Sequence, residues 1–224
     1  MTRMAYNDKH KQFLHYFMHE RMVAQKDAQN INNILFPNTD LSNTISFINS
    51  KIAPLEFKIN KVVCEQNGDN MYVFIATFVE DFNAKQDPTK VIFSELVKSI
   101  IDADGSIQYD ELMLKFNNQL LTDNMIDNFF TNKYLITDEN KSIFLSPLAI
   151  SELEGYLAEN YQNKRCTSCM GFVGHGLKCH SCEQFAHGHC LTAYFKRLGN
   201  NKCPKCSKNI HVDWEPITIF NELQ

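Results

Sequence analysis

Eight side chains near the C-terminus have the types and the spacing of a metal-binding set. Cys166 and Cys169, Cys179 and Cys182, His187 and Cys190, and Cys203 and Cys206 form four pairs, each with two residues between its members. The gaps between successive pairs are nine, four and twelve residues. Thiolate sulfur and imidazole nitrogen are the ligands of structural zinc, four to an ion in a tetrahedron, and a two-residue gap lets both members of a pair reach one ion through a tight turn. Eight ligands therefore imply two zinc ions per chain. If the first pair shares an ion with the third, and the second with the fourth, the segments interleave into a cross-brace. With every coordination position filled by protein, the zinc is structural, and no catalytic residue is expected.

Cysteine usage supports metal over disulfides. Of the eight cysteines, only Cys64 precedes residue 166, and the seven that follow lack an even pairing. Cys64 itself, in Val62-Val63-Cys64, is read as a buried strand residue. His187 is chosen over His189 because it restores the two-residue gap, which sends His189 to solvent; His175, His180 and His211 also lie in or beside the segment. Its few large apolar residues, among them Phe172, Val173, Leu191 and Phe195, are too little core to fold on. Between the third and fourth pairs LTAYFKRL has the pattern of a short helix. With Pro204 inside the last pair it favours a RING finger over a PHD finger, which usually carries Trp where Asn201 stands. A PHD-like chromatin reader is the alternative, and it would want an aromatic cage or acidic groove that the segment does not offer.

The elements that must carry this segment are helices and hairpins. Apolar residues recur at helical spacing from Asp8 to about Ala24, again at Ile31, Ile34 and Leu35 before Pro37, and again from Leu41 to Ile52 before Pro54. The period then changes to two: Leu55, Phe57 and Ile59, a turn over Gln66–Asn70, and Tyr72, Phe74, Ala76 and Phe78 predict a β-hairpin. Three helices closed by a hairpin are a winged-helix pattern. The order repeats, with helices near 89–103, 108–117 and 122–132 and a hairpin of Tyr134–Thr137 and Ile143–Leu145 around DENK. A last helix is expected from Pro147 to about Tyr161. The fold class is thus α+β: tandem winged-helix domains, residues 1–86 and 87–162, followed by a small cross-braced two-zinc RING-like domain, residues 163–212, and a tail, residues 213–224.

Residues 100–111, IIDADGSIQYDE, imitate a calcium loop, with Asp102, Asp104, Ser106, Ile107 and Glu111 around Gly105. The first ligand position would fall on Ile100, which has no side-chain oxygen, so a polar turn is the better reading. Winged helices often bind DNA, but residues 1–160 carry a net charge of −8, and the candidate recognition helices, LSNTISFINSKI and TDNMIDNFFTNK, offer few basic groups. Residues 161–224 sum to +4, which seven thiolates and two divalent ions reduce to about +1. Protein contact is therefore favoured over direct nucleic-acid binding. With 44% hydrophobic and 21% charged residues, no membrane-length apolar run and no signal-peptide core, the sequence reads as soluble, with no membrane partner, in the cytosol or nucleus.

HKQFLHYFMHERMV near the start, FINSKI, NFFTNKYLI, and CTSC through CPKC together resemble the non-SMC element one family, the RING-bearing subunit of the Smc five/six chromosome-maintenance complex. The resemblance implies a nuclear, chromosome-associated chain that binds a MAGE-type winged-helix subunit, joins a kleisin subunit and the SMC complex, and supports DNA repair and recombination as a RING-type ubiquitin ligase. Such a ligase has no nucleophile; it holds a charged ubiquitin-conjugating enzyme and acts by positioning. The implied contacts are Tyr194 or Phe195 and Pro204. Ser168 stands where an aliphatic residue is usual, and Ser207 follows Cys206 where an arginine is usual. These departures point to activity that depends on a partner, or to a non-catalytic interaction subunit whose zinc domain stabilises the complex.

Overall fold

The computed structural model describes residues 5–77, 87–116, 123–210 and 214–221. The chain divides into two compact units, residues 1–63 with 69–78 and residues 64–68 with 79–224. The first contains α1 (Asp8–Glu20), β1 (Met22–Ala24), α2 (Gln25–Leu35), α3 (Leu41–Ile52), β2 (Phe57–Val63) and β3 (Asn70–Ala76). Asn7 caps α1, its side chain accepting from the His10 amide. The helix stops at Arg21, whose φ of 53° turns the chain, so Met22–Ala24 leaves as a strand that pairs with Met71–Val73. Sequence periodicity alone extends this helix to Ala24; three residues of extended chain are too few to show an alternation.

The sheet order is β1-β3-β2, antiparallel throughout. Phe13 and Phe17 on α1, and Ile45, Ile48 and Ile52 on α3, bury against Ile59 and Tyr72 of the hairpin. The Asn49 side chain locks α3 to the sheet, donating to the Ile59 carbonyl at 2.9 Å and accepting from the Ile59 amide at 2.8 Å. Phe78, counted in the sequence alternation, lies outside the described residues.

The second unit opens with the same order: α4 (Pro88–Asp102), β4 (Ile107–Gln108), α5 (Tyr109–Phe116), α6 (Asp123–Thr131), β5 (Leu135–Thr137) and β6 (Ser142–Leu145). Its sheet, β4-β6-β5, repeats the first one's connectivity. Leu96, Ile100, Leu112, Ile126, Phe129, Phe130 and Ile143 belong to its core. Residues Asp102–Gly105 are the polar turn expected there: Gly105 donates its amide to the Ile100 carbonyl at φ +101°, and Asp104 pairs with Lys164 at 3.3 Å.

The expected helix from Pro147 to Tyr161 is instead two, α7 (Pro147–Glu152) and α8 (Glu154–Asn160), broken at Leu153. Ser146 caps α7 through the Ala149 amide, and Leu148 and Ala149 are buried there, as is Leu157 on α8. Gly155, a weak helix residue, lies two residues past the break. The zinc segment adds β7 (Leu177–Lys178), β8 (Phe185–Ala186) and α9 (Gly188–Leu198). Phe220 of the tail then pairs antiparallel with Thr137 on the open edge of β5. Among the described residues no helix is long and apolar enough to cross a membrane.

Candidate metal centres

Three of the four ligand pairs share one backbone device. The carbonyls of Cys166, Cys179 and Cys203 accept from the amides of Met170, Glu183 and Ser207, and the amides of the same cysteines donate to the carbonyls of Gly171, Gln184 and Lys208. Met170, Glu183 and Ser207, each following the second cysteine of its pair, adopt positive φ of 65°, 58° and 59°. These tight turns aim both sulfurs of a pair at one point. The Ser168 and Lys205 amides also approach the Cys166 and Cys203 sulfurs at 3.4 Å. The third pair is built differently: His187 is the N-cap of α9, and Cys190 lies on the helix's first turn.

Cys166, Cys169, His187 and Cys190 form one cluster of donor atoms, and Cys179, Cys182, Cys203 and Cys206 form the other, each within 4.8 Å. First meets third and second meets fourth, as the cross-brace requires. The geometry suits zinc. A zinc–sulfur bond of about 2.3 Å in a regular tetrahedron sets sulfur atoms roughly 3.8 Å apart. Cys179 and Cys206 stand at 3.8 Å, and Cys182 and Cys203 at 3.7 Å. Those separations are far beyond a disulfide bond. Around His187, Nδ1 lies 3.3 Å from the Cys169 sulfur and 3.7 Å from that of Cys190, so Nδ1 faces the metal position. The two clusters are the sites of two structural zinc ions.

The first cluster's electrostatics agree. Hydrogen bonding from Cys190 holds the Cys166 thiol down at about 2, and the same contact pushes the Cys190 thiol up. Burial opposes a charge on His187, but hydrogen bonds with Cys166, Cys169, Cys190 and Glu65 outweigh it and push its pKa up. Donors this crowded hold protons that a divalent cation displaces.

His189 does not face solvent, contrary to the expectation from spacing. Its ring stacks on His187 with centroids 5.0 Å apart, and burial pushes its pKa down. Trp214, the chain's one tryptophan, covers the start of α9. A Cβ added to Gly188 would lie 2.0 Å from Trp214 Cγ. Gly188→Ala is therefore expected to displace the indole, red-shift its emission, and lower Tm by roughly 3–10 °C. An unchanged emission spectrum would show that the tail does not pack there.

Of the contact residues implied for a conjugating enzyme, Ser168 is exposed, and Tyr194 and Pro204 are half-buried. The Arg197 guanidinium lies 5.8 Å from the Tyr194 ring. Phe195, named with Tyr194 as an alternative, is 9% exposed and packs with Val173, Ala186 and Leu191 in the zinc segment's core. Its four-residue spacing from Leu191 was the available signal. Sequence reasoning also missed Met170, which is 61% exposed beside Cys169, and Glu65, whose carboxylate reaches His187 at 2.9 Å. His211 lies outside the described residues.

A RING-like domain model matches residues 166–206, the eight-ligand segment. The mouse protein named non-structural maintenance of chromosomes element 1 homolog is 24% identical over 91% of this chain and 84% of its own length. Its human counterpart of the same name is 25% identical over 89% of this chain and 83% of its own. Over most of its length the chain is thus similar to the non-structural maintenance of chromosomes element 1 proteins. A solved structure titled Nse1-Nse3-Nse4 complex superposes with a TM-score of 0.79 at 19% identity, covering 92% of this chain and 97% of that one. That likeness is one of fold. At 92% coverage it extends over both winged helices as well as the zinc segment.

Proposed function

We propose that this chain is a member of the non-structural maintenance of chromosomes element 1 family and a RING-type ubiquitin ligase subunit of a nuclear, chromosome-associated SMC complex, acting in DNA repair and recombination with the help of a MAGE-type partner. The observation that carries the reading is the cross-braced domain at the end of tandem winged helices, with one site of three cysteines and a histidine and one of four cysteines, in a chain that spans most of its relatives' length. Cys166, Cys169, Cys179, Cys182, His187, Cys190, Cys203 and Cys206 hold the two ions. Tyr194, Pro204 and the Ser168–Met170 turn form the surface offered to a ubiquitin-conjugating enzyme. Met170 supplies the apolar side chain that Ser168 lacks. The chain contributes no nucleophile; it orients the charged conjugating enzyme so that a substrate lysine attacks the thioester. The winged helices bind the MAGE-type and kleisin subunits, consistent with the composition of the complex whose solved structure shares this fold.

Ubiquitin-chain formation, measured with and without the MAGE-type partner, tests this. Chains are expected only with the partner, to be abolished by Cys203→Ala, and to fall at least about tenfold in Tyr194→Ala and Pro204→Ala while both zinc ions are retained. If no condition yields chains, the second reading stands. It is a non-catalytic interaction subunit, favoured by Ser168 and by Ser207 at the position where RING ligases usually carry arginine.

A further inference from the structure

The loop between β2 and β3, residues 64–68, places one carboxylate against the first zinc site. The Glu65 side chain is 5% exposed. Its Oε1 lies 2.9 Å from His187 Nε2 and accepts from the Gly174 amide at 3.1 Å, while Oε2 accepts from the His175 amide at 2.6 Å. A buried carboxylate is costly unless its oxygens are hydrogen-bonded, and here three N–H groups of the zinc segment meet them.

The loop itself is fixed on several sides. Gly68, at φ +76°, donates its amide to the Cys64 carbonyl at 2.8 Å, and the Cys64 sulfur meets Gln66 Oε1 at 3.2 Å. Ile217 of the tail donates to the Gln66 carbonyl at 3.0 Å. A Cβ on Gly68 would stand 3.3 Å from the Trp214 ring and 3.4 Å from His189 Cβ, so the loop lies beneath both.

An imidazole has two nitrogens, and the hydrogen bond at one decides which is left for the metal. At His187, Nδ1 faces the sulfurs of Cys169 and Cys190, and Nε2 faces Glu65 and the Phe172 carbonyl, 2.8 Å away. Both groups around Nε2 are acceptors, so Nε2 carries the proton and Nδ1 offers its lone pair. We propose that Glu65 is the outer-sphere carboxylate of the first zinc site, a positioning residue that fixes the tautomer and orientation of His187 from 122 residues upstream. A carboxylate in this place also raises the basicity of the coordinated imidazole, and loss of such a partner typically weakens metal binding about 10- to 100-fold. The eight-ligand motif, complete in sequence, is thus incomplete in space without a residue from the first hairpin's loop.

The test uses the full chain loaded with two zinc ions. Release into a chelating dye is followed for wild type, Glu65→Gln and Glu65→Asp, with His187 imidazole nitrogens read by NMR. In Glu65→Gln, one ion is expected to leave about 10–100-fold faster while the other, held by four cysteines, leaves at the wild-type rate. The proton on His187 Nε2 should exchange faster, and Glu65→Asp should recover part of the wild-type behaviour. Wild-type release of both ions with an unchanged His187 spectrum overturns the proposal. So does equal acceleration of both ions or loss of far-ultraviolet circular dichroism in Glu65→Gln, which would assign Glu65 to loop packing alone. None of these outcomes depends on ligase activity.

Discussion

Chelation of the zinc ions is expected to release about two per chain and to unfold the segment from Lys164 to Ile210, while both winged helices persist. Its cluster of buried residues consists of Cys166, Val173, Ala186, Leu191 and Phe195, and its sheet, among the described residues, is two strands of two residues. Fully buried aliphatic and aromatic side chains contribute about 1.5–3 kcal/mol each. Each structural zinc site supplies on the order of 10–16 kcal/mol, several times what any one of these side chains contributes. The winged helices rest on their own clusters, built around Phe13, Phe17 and Ile48 in one and Leu96, Ile126 and Leu135 in the other. Circular dichroism should lose the α9 contribution only, and Trp214 emission should shift red as its support on Gly188 disappears. Emission and α9 amide protection unchanged at zero bound zinc would refute this account.

The zinc ligands were legible because their information is local. A cysteine pair two residues apart implies a turn, and four pairs in alternation imply a cross-brace whatever else the chain does. The helices were legible through periodicity, and α3 is the clearest case, with Leu41, Ile45, Ile48 and Ile52 buried in step. What escaped lies where the signal is too short or too distant. β1 and β4 have three and two residues, below the length at which alternation can be seen. The break at Leu153 carries no proline and no capping side chain, and Leu148 and Leu157 on either side of it are both buried. Met170, Glu183 and Ser207 take positive φ without being glycine, so composition gave no hint of their turns. Glu65 meets Gly174 across 109 residues, and no periodicity reports such a contact.

The largest effect expected from a single methyl group is at Gly105, where the turn after α4 meets the zinc segment. Two independent penalties coincide there. A φ of +101° is a conformation that alanine adopts only with strain, worth about 1–2 kcal/mol. A Cβ would also stand 2.0 Å from the Gly174 carbonyl oxygen and 2.8 Å from His175 Cα. These are backbone atoms, so no rotamer change relieves the overlap. Nor can the turn withdraw easily: its amide is held by the Ile100 carbonyl, and Lys164 donates to the Ile101 carbonyl at 2.7 Å while pairing with Asp104. Gly105→Ala should therefore cost about 3–5 kcal/mol and lower Tm by roughly 6–20 °C. Gly155→Ala in α8 is the matched control. Among the described residues no atom lies within 4 Å of its added Cβ, and alanine favours the helix by about 0.5–1 kcal/mol, so Tm should hold or rise. The displaced element is the one whose Gly174 and His175 amides hold Glu65. Gly105→Ala should thus also loosen the first zinc ion while sparing the four-cysteine site. If thermal stability fell without any change in zinc release, the Gly174–His175 turn would not transmit strain to His187, and the coupling from the second winged helix to the metal would have to be abandoned.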